Sequence, residues 1–157
     1  MGSVTPVPYE RRLPDGARVL IDSNPLIYLL ESNPLAAAFR GVFRDVEAGR
    51  LIAVVTPITL AETLAGPIAA GNDVMTSRYR AFLCENHRYE FHPVDAALAE
   101  TAARVRVSER LKLPDAVQLA AALAHRCDAL ITHDRGFRHV QGLAVLGLDA
   151  DAWLVDP

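Results

Sequence analysis

Residues 18–25 have the sequence RVLIDSNP, in which a short apolar run ends abruptly in polar residues. The apolar part, residues 18–21, predicts a buried β-strand, because parallel strands that are covered on both faces are apolar throughout. Asp22 ends the strand, and the serine, asparagine and proline that follow it are typical of a helix start. This junction therefore predicts an α/β fold with an acidic side chain at the end of its first strand.

The same alternation of short apolar runs and helical segments continues along the sequence. Further strands are predicted at 51–55, 89–92, 128–132 and 143–146. The helices predicted around and between them cover residues 26–31, 35–48, 58–65, 76–87, 95–110 and 114–126. Short apolar strands separated by helices favour a parallel sheet, so the predicted fold class is a three-layer α/β/α fold. Ligands of such sheets bind beyond the carboxyl ends of the strands.

The composition is that of an ordinary globular protein, with 51% hydrophobic and 22% charged residues among 157. This length predicts one domain, over residues 18–157, preceded by a proline-containing extension over residues 1–17. The extension lacks the apolar core of a secretory signal, and the two cysteines are too few for a disulfide scaffold. We therefore expect a cytoplasmic protein that does not associate with membranes.

The formal net charge of −3 argues against a broadly basic nucleic-acid binder. It does not argue against an enzyme whose acidic site acts on nucleic acid.

Four acidic residues fall at the predicted carboxyl ends of strands or in the adjoining helices: Asp22, Glu62, Asp115 and Asp134. Taken singly, each has an ordinary structural interpretation, as a helix cap, a solvent-facing side chain, a first-turn acid or a loop cap. Their shared position favours a common cause. Carboxylates that are brought together repel one another, and a hard cation such as Mg²⁺ or Mn²⁺ relieves the repulsion. No histidine and cysteine occur at zinc-ligand spacing.

Four segments of the chain, one around each acid, resemble the motifs of PIN domains. In the order of that family they are IDSNPLIYLL (21–30), TPITLAETLAGP (56–67), LPDAVQLA (113–120) and LITHDRGF (130–137). The resemblance extends from about Val19 to Leu146 and is closest to VapC-type toxins of toxin–antitoxin pairs. It implies a metal-dependent ribonuclease whose parallel sheet has five strands in the order 3-2-1-4-5. The products implied are a 5′-phosphate and a 3′-hydroxyl.

The resemblance also implies a role for each acid, with all four forming the catalytic set. Asp22 and Asp115 would bind Mg²⁺ (or Mn²⁺) directly, and Asp134 would bind it directly or through water. Glu62 would bind the metal or orient the attacking water. Many relatives carry a further acid where this chain has Gly136, so the resemblance leaves open whether one or two metal ions are bound.

Other residues are expected to support the acids or hold RNA. Ser23 and Thr132 match positions at which family members place a hydroxyl near the metal, so we expect them to hydrogen-bond to the ligands. Tyr79 is a candidate for stacking on a base. Six arginines are candidates for RNA phosphate contacts, although a solvated helix face is the more ordinary interpretation of any single one. They are Arg40, Arg44, Arg78, Arg80, Arg135 and Arg138.

The toxin resemblance implies a homodimer and a small antitoxin whose tail covers the acidic pocket, and it does not identify the RNA that is cleaved. Two alternatives were weighed. A phosphatase or phospho-receiver is disfavoured, because Asn24 stands where haloacid-dehalogenase-type phosphatases need a second aspartate and Lys112 is the only lysine. A non-catalytic PIN-like module that binds RNA or protein is disfavoured by the four acids and kept open by Gly136.

Overall fold

The computed structural model describes residues 13–149. Its centre is a parallel sheet of five strands in the order β3-β2-β1-β4-β5, which confirms the predicted fold class and strand order. The strands are β1 (Arg18–Ile21), β2 (Ile52–Val55), β3 (Tyr89–Phe91), β4 (Ala129–Ile131) and β5 (Ala144–Leu146). The α-helices in this part of the chain are α1 (Ser23–Leu30), α2 (Arg40–Glu47), α3 (Pro57–Ala69), α4 (Asp73–Cys84), α5 (Ala96–Glu109) and α6 (Leu113–Ala124).

Strand β1 lies in the middle of the sheet, paired with β2 on one side and with β4 on the other. Its side chains alternate between two apolar layers. Val19 and Ile21 pack in a layer with Val42 of α2 and Leu83 of α4, whereas Leu20 packs in the opposite layer with side chains of α5 and α6. Because both faces are covered, every position of the strand core has to be apolar.

The strand register sets the position of the candidate site. Ile21 is paired with Ile131, and the backbone N–H of Asp22 donates to the carbonyl of Ile131 at 2.9 Å. One residue later on the neighbouring strand, the N–H of Thr132 donates to the carbonyl of Leu146 at 2.9 Å. Strands β1 and β4 are neighbours, so the residues that follow them lie side by side at the carboxyl edge of the sheet.

Four predicted helices differ from the structure by three or more residues. Helix α1 begins at Ser23 and not at residue 26, and α4 spans Asp73–Cys84 and not residues 76–87. The predicted end of α3 at Gly66 and Pro67 is wrong, since the helix includes Pro67 and continues to Ala69. A proline inside a helix lacks the N–H for one hydrogen bond, and its ring crowds the carbonyl four residues earlier, so it usually bends or ends the helix. Pro67 is buried, and the N–H of Ala70 still donates to the carbonyl of Gly66 at 3.1 Å. The predicted helix over residues 35–48 is divided into a 3₁₀ helix, Pro34–Phe39, and α2.

The part of the predicted extension that the structure describes, residues 13–17, packs against the sheet. Leu13 is 6% exposed and lies in the apolar layer on the β1 face that carries Val19. The N–H of Gly16 donates to the carbonyl of Arg50 at 2.8 Å, and the Arg50 guanidinium pairs with Asp15 at 3.0 Å. Residues 1–12 and 150–157 lie outside the described range, so the division into extension and domain stays a prediction.

Among residues 13–149, no helix combines the length and the apolar character that crossing a membrane requires.

Candidate functional site

Asp22 is the most enclosed of the four acids. It is 5% exposed and precedes α1, whose first N–H, that of Ser23, donates to Asp22 Oδ1 at 2.9 Å. Gln118 Nε2 donates to the same oxygen at 3.2 Å, and Thr132 Oγ1 donates to Oδ2 at 2.8 Å. A buried carboxylate is costly unless it is hydrogen-bonded, and here each oxygen has a donor. The position of the Asp22 carboxylate is therefore fixed by its surroundings.

Asp134 is linked to Asp22 through Thr132. The hydroxyl of Thr132 donates to Asp22 and accepts from the backbone N–H of Asp134 at 2.9 Å. Asp134 Oδ1 in turn accepts from the N–H of Gly136 at 2.8 Å, at the start of the 3₁₀ helix Arg135–Phe137. The capping roles weighed for Asp22 and Asp134 are thus both present in the structure. A cap uses one oxygen at a time, so it leaves the carboxylate able to accept a second partner.

Asp115 lies in the first turn of α6 and is partly buried. Burial, followed by the negative charges of Asp134, Asp22 and Glu62, raises the pKa of Asp115 to about 6, while Lys112 opposes the shift. Within residues 13–149, no hydrogen bond joins the Asp115 carboxylate to another residue. Asp115 is therefore close enough to the other three acids to experience their charge, and its oxygens are not occupied by donors.

Glu62 completes the group from the side of α3. Its side chain is exposed, and Oε2 accepts a hydrogen bond from the hydroxyl of Ser23. Ser23 Oγ also lies 3.4 Å from Asp22 Oδ1. The two hydroxyls predicted to support the acids thus contact them: Ser23 contacts Glu62 and Asp22, and Thr132 contacts Asp22 and Asp134.

The donor chemistry of this group fits a hard divalent cation. All four side chains offer carboxylate oxygens, the ligands that Mg²⁺ and Mn²⁺ prefer. Burial is the main cause of the raised pKa of Asp115, and the negative charges of Asp134, Asp22 and Glu62 add to it, so a bound cation would favour the ionised form. The acids are not drawn into a closed ligand cluster, because in the described part of the chain no three Asp, Glu, His or Cys side chains enclose a metal position.

Several residues of this edge were missed by sequence reasoning. Gln118 is 1% exposed and contacts Asp22 directly, and its amide also bonds to Thr56 and Thr59 at the start of α3. Its sequence position does contain a signal. Gln118 is the only polar side chain in the run AVQLAAALA, and it lies three residues after Asp115, so the two share one face of the helix.

An aromatic contact links α1 to the loop after β4. Tyr28 Oη and His133 Nδ1 are 2.8 Å apart, and the two rings are perpendicular with centroids 5.7 Å apart. The ring of Phe39 packs edge-on against His133. This contact fixes the loop between Thr132 and Asp134. Tyr79 is not available for stacking on a base, because it is 6% exposed and its hydroxyl donates to the carbonyl of Leu30 at 3.1 Å.

The six candidate RNA-binding arginines are all exposed, in three places. Arg135 and Arg138 lie in and directly after the 3₁₀ helix that follows Asp134. Arg40 and Arg44 lie on α2, and Arg78 and Arg80 lie on α4. Arg44 is 3.8 Å from Asp45, and Arg80 is 3.7 Å from Glu85. Arg135 and Arg138 are thus the two candidates that lie close to a site acid, Asp134, in the sequence. The RNA contacts of all six arginines stay a prediction.

A cavity of about 450 Å³ lies between the end of α1 and the start of α2, and none of the four acids lines it. Its walls include Leu29, Pro34 and Phe43, with Arg40 as the charged side chain.

Comparison with known proteins agrees with this arrangement. The model of the PIN-domain family matches residues 19–143, which include all four acids, and the chain belongs to this family. The resemblance inferred from the four motifs is confirmed. No curated protein matches the sequence at a significant level.

Solved structures with the same fold include toxin–antitoxin proteins. A toxin–antitoxin complex from Klebsiella pneumoniae is 27% identical, with a TM-score of 0.62 over 80% of this chain and 95% of that one. VapBC2 from Rickettsia felis, bound to a DNA fragment from its promoter, is 16% identical, with a TM-score of 0.64 over 82% and 96%. VapC20 from Mycobacterium tuberculosis, a toxin that cleaves the sarcin–ricin loop, is 18% identical, with a TM-score of 0.63 over 82% and 98%. The last two show a shared fold alone.

Gly136 allows a specific test of the geometry around Asp134. A Cβ atom at this position would lie 3.0 Å from Asp134 Oδ1 and 3.8 Å from Asp115 Oδ2, so the Asp134 carboxylate would have to move. Because small misplacements of reacting groups are costly, we expect Gly136→Ala to lower any metal-dependent activity by about three- to tenfold. The melting temperature should change little, since the backbone at Gly136 is not left-handed. An unchanged rate would show that the position of Asp134 is not critical.

Proposed function

We propose that this chain is a metal-dependent ribonuclease that hydrolyses RNA phosphodiester bonds. The observation that carries the proposal is the convergence of four carboxylates at the carboxyl edge of the sheet in a chain of the PIN-domain family. A group of uncompensated negative charges repels the phosphates of RNA, so the site needs a bound cation before RNA can approach. The proposed cofactor is Mg²⁺ or Mn²⁺.

Each acid has a proposed task that follows from its surroundings. Asp22 and Asp115 would hold the metal directly, Asp22 because its position is fixed and Asp115 because no residue among 13–149 donates to its oxygens. Asp134 would hold it directly or through water, and Glu62 would bind it or orient the attacking water. When bound, the cation would lower the pKa of a water molecule that it binds, and it would neutralise negative charge on the phosphate. Ser23 and Thr132 keep the carboxylates in place.

RNA has to be held from outside the acidic edge. Arg135 follows Asp134 directly, Arg138 lies four residues after it, and both are exposed, so they are the best placed of the six arginines to contact a phosphate near the cleaved bond. The arginines of α2 and α4 would contact more distant parts of the backbone.

The chain is further proposed to be the toxin of a toxin–antitoxin pair in the cytoplasm, acting as a homodimer. Its support is the 27% identity to the Klebsiella pneumoniae toxin–antitoxin complex over 95% of that chain. The proposed partner is a small antitoxin whose tail covers the acidic edge. A short reading frame for a DNA-binding protein directly upstream would support this part of the proposal.

Cleavage of RNA in vitro tests the ribonuclease assignment. We expect the purified chain to cleave RNA in Mg²⁺ or Mn²⁺ and to stop in EDTA, because the carboxylates alone provide no nucleophile next to a base. Glu62→Gln, purified in parallel, controls for contaminating nuclease. It should cleave about 100-fold more slowly, because it loses the side chain that is proposed to position the attacking water. Equal cleavage in EDTA would overturn the metal-dependent mechanism. RNA binding without cleavage in either metal would favour the non-catalytic PIN-like module.

A further inference from the structure

The amide of Gln118 is buried at the point where three elements of the site meet. The residue is 1% exposed and belongs to α6, the helix that carries Asp115. Its Nε2 donates to Asp22 Oδ1 at 3.2 Å and to Thr59 Oγ1 at 2.9 Å, and its Oε1 accepts from Thr56 Oγ1 at 2.7 Å. A primary amide has two N–H donors, and both are used.

The orientation of this amide follows from its partners. An ionised carboxylate accepts hydrogen bonds and cannot donate them, so the NH₂ group of Gln118 has to face Asp22. The carbonyl then faces Thr56, whose hydroxyl also accepts from the first N–H groups of α3 and caps that helix. Reversing the amide would place its oxygen against the Asp22 carboxylate. The network therefore permits a single arrangement of the side chain.

This single side chain connects the supports of three acids. Gln118 contacts Asp22 at the end of β1. It also contacts Thr56 and Thr59 at the start of α3, the helix that carries Glu62. Gln118 itself belongs to α6, the helix that carries Asp115. Thr132 performs the corresponding task for Asp134, since its hydroxyl bonds to both Asp22 and the Asp134 backbone. Asp22 is thus held from two sides, by Thr132 on Oδ2 and by Gln118 on Oδ1.

We propose that Gln118 is a positioning residue that fixes Asp22 Oδ1 relative to α3 and α6, so that the carboxylates can close on one divalent cation. This inference rests on the proposed metal-dependent function. Gln118 does not touch the cation or the RNA, and it acts through Asp22.

The competing explanation is that Gln118 only fills the core. Gln118→Leu leaves the buried hydroxyls of Thr56 and Thr59 without their partner, so folding stability should fall under either explanation and only metal affinity separates them. A core-filling role therefore predicts that Gln118→Leu leaves metal affinity unchanged. A positioning role predicts a selective loss, because residues that orient metal ligands are worth about 10- to 100-fold in metal affinity or activity.

Binding of Mn²⁺ to the metal-stripped full chain, measured by calorimetry without RNA, separates these explanations. We expect Gln118→Leu to weaken Mn²⁺ binding by about 10-fold or more. In cleavage assays kcat should fall while the KM for RNA stays near the wild-type value. Leu119→Val is the matched control, because Leu119 is the next residue of α6, is 1% exposed and has no hydrogen-bonding group. Its Mn²⁺ affinity should equal that of the wild type.

A second variant covers the case in which Gln118→Leu does not fold. Thr59→Val keeps the volume of a buried side chain and removes one partner of Gln118 Nε2 without touching Asp22. It should weaken Mn²⁺ binding in the same direction and by a smaller factor. Wild-type affinity in both variants would overturn the role of Gln118 and leave the proposed ribonuclease intact. Absence of Mn²⁺ binding and of cleavage in the wild type would overturn both.

Discussion

Expression of this chain without a neutralising partner is expected to slow bacterial growth, and Asp22→Asn is expected to restore growth to the rate of an empty vector. Asparagine keeps the size of the side chain and one oxygen that can accept from Ser23. It removes the negative charge at the most rigidly held of the four positions. Cleavage by the purified variant should fall by at least about 100-fold, the upper range for residues that only support a metal ligand.

The growth experiment needs a variant that changes charge elsewhere. Asp73→Asn is suitable, because Asp73 lies exposed in the first turn of α4 and belongs to none of the site contacts. It should inhibit growth as strongly as the wild type. If the wild-type chain is harmless in several hosts yet cleaves RNA in vitro, the toxin proposal fails and the ribonuclease proposal stands. If Asp22→Asn still cleaves at the wild-type rate, the assignment of Asp22 is wrong.

Asp115→Asn is expected to abolish cleavage without lowering the melting temperature of the metal-free protein. The wild-type carboxylate is partly buried near three other acids, and its pKa is raised to about 6. Its ionisation therefore opposes folding at neutral pH. Solvent screens a group of this exposure, so we expect asparagine to stabilise the chain by about 1 kcal/mol or less, an increase of up to about 4 °C.

The sign of this effect changes with pH in a defined way. An aspartate titrates near pH 4 when unfolded and near pH 6 in this site, so the folded state binds the proton more tightly. The destabilisation caused by Asp115 is absent below about pH 4 and grows between pH 4 and pH 6. It is complete above that range. Melting curves of both proteins in chelator should therefore diverge as the pH rises from 4 to 7.

The role of Asp115 as a first-turn acid predicts the opposite result. Losing a favourable interaction with the N-terminus of α6 would lower the stability of the variant by up to about 1 kcal/mol. Adding Mn²⁺ provides a second criterion, because a bound ligand stabilises the folded state in proportion to its affinity on a logarithmic scale. A lower melting temperature in chelator, together with a wild-type response to Mn²⁺, would show that Asp115 is not a ligand.

The sequence predicted the strands and the edge at which the acids meet, for a physical reason. Parallel strands that are buried on both faces have to be apolar throughout, so each strand end is visible where a run such as VLI gives way to Asp22. The same holds where β4 ends before Thr132 and Asp134. Parallel strands have their carboxyl ends at one edge, which places these residues together once the strand order is known. That order came from the resemblance to PIN domains and is confirmed.

What the sequence could not provide are contacts that depend on packing between distant elements. Gln118 contacts Asp22 across 96 residues, and the apolar run around Gln118 indicates that it is buried but not which residue it contacts. The continuation of α3 past the buried Pro67 likewise could not be predicted, because a proline usually ends a helix. The sequence places the six candidate arginines on predicted helices and loops without defining what they contact, and their relation to the RNA stays a prediction.

The place of β1 has a consequence for how the protein is made. The hydrogen bond between Asp22 and Thr132 spans 110 residues, and β4 is the partner that closes one side of β1. Domains emerge from the ribosome N-terminus first, and contacts of large sequence separation form late. A growing chain thus carries Asp22 and Glu62 long before Thr132 and Asp134 exist to complete the edge. The proposed metal site is therefore complete only after most of the polypeptide has been synthesised.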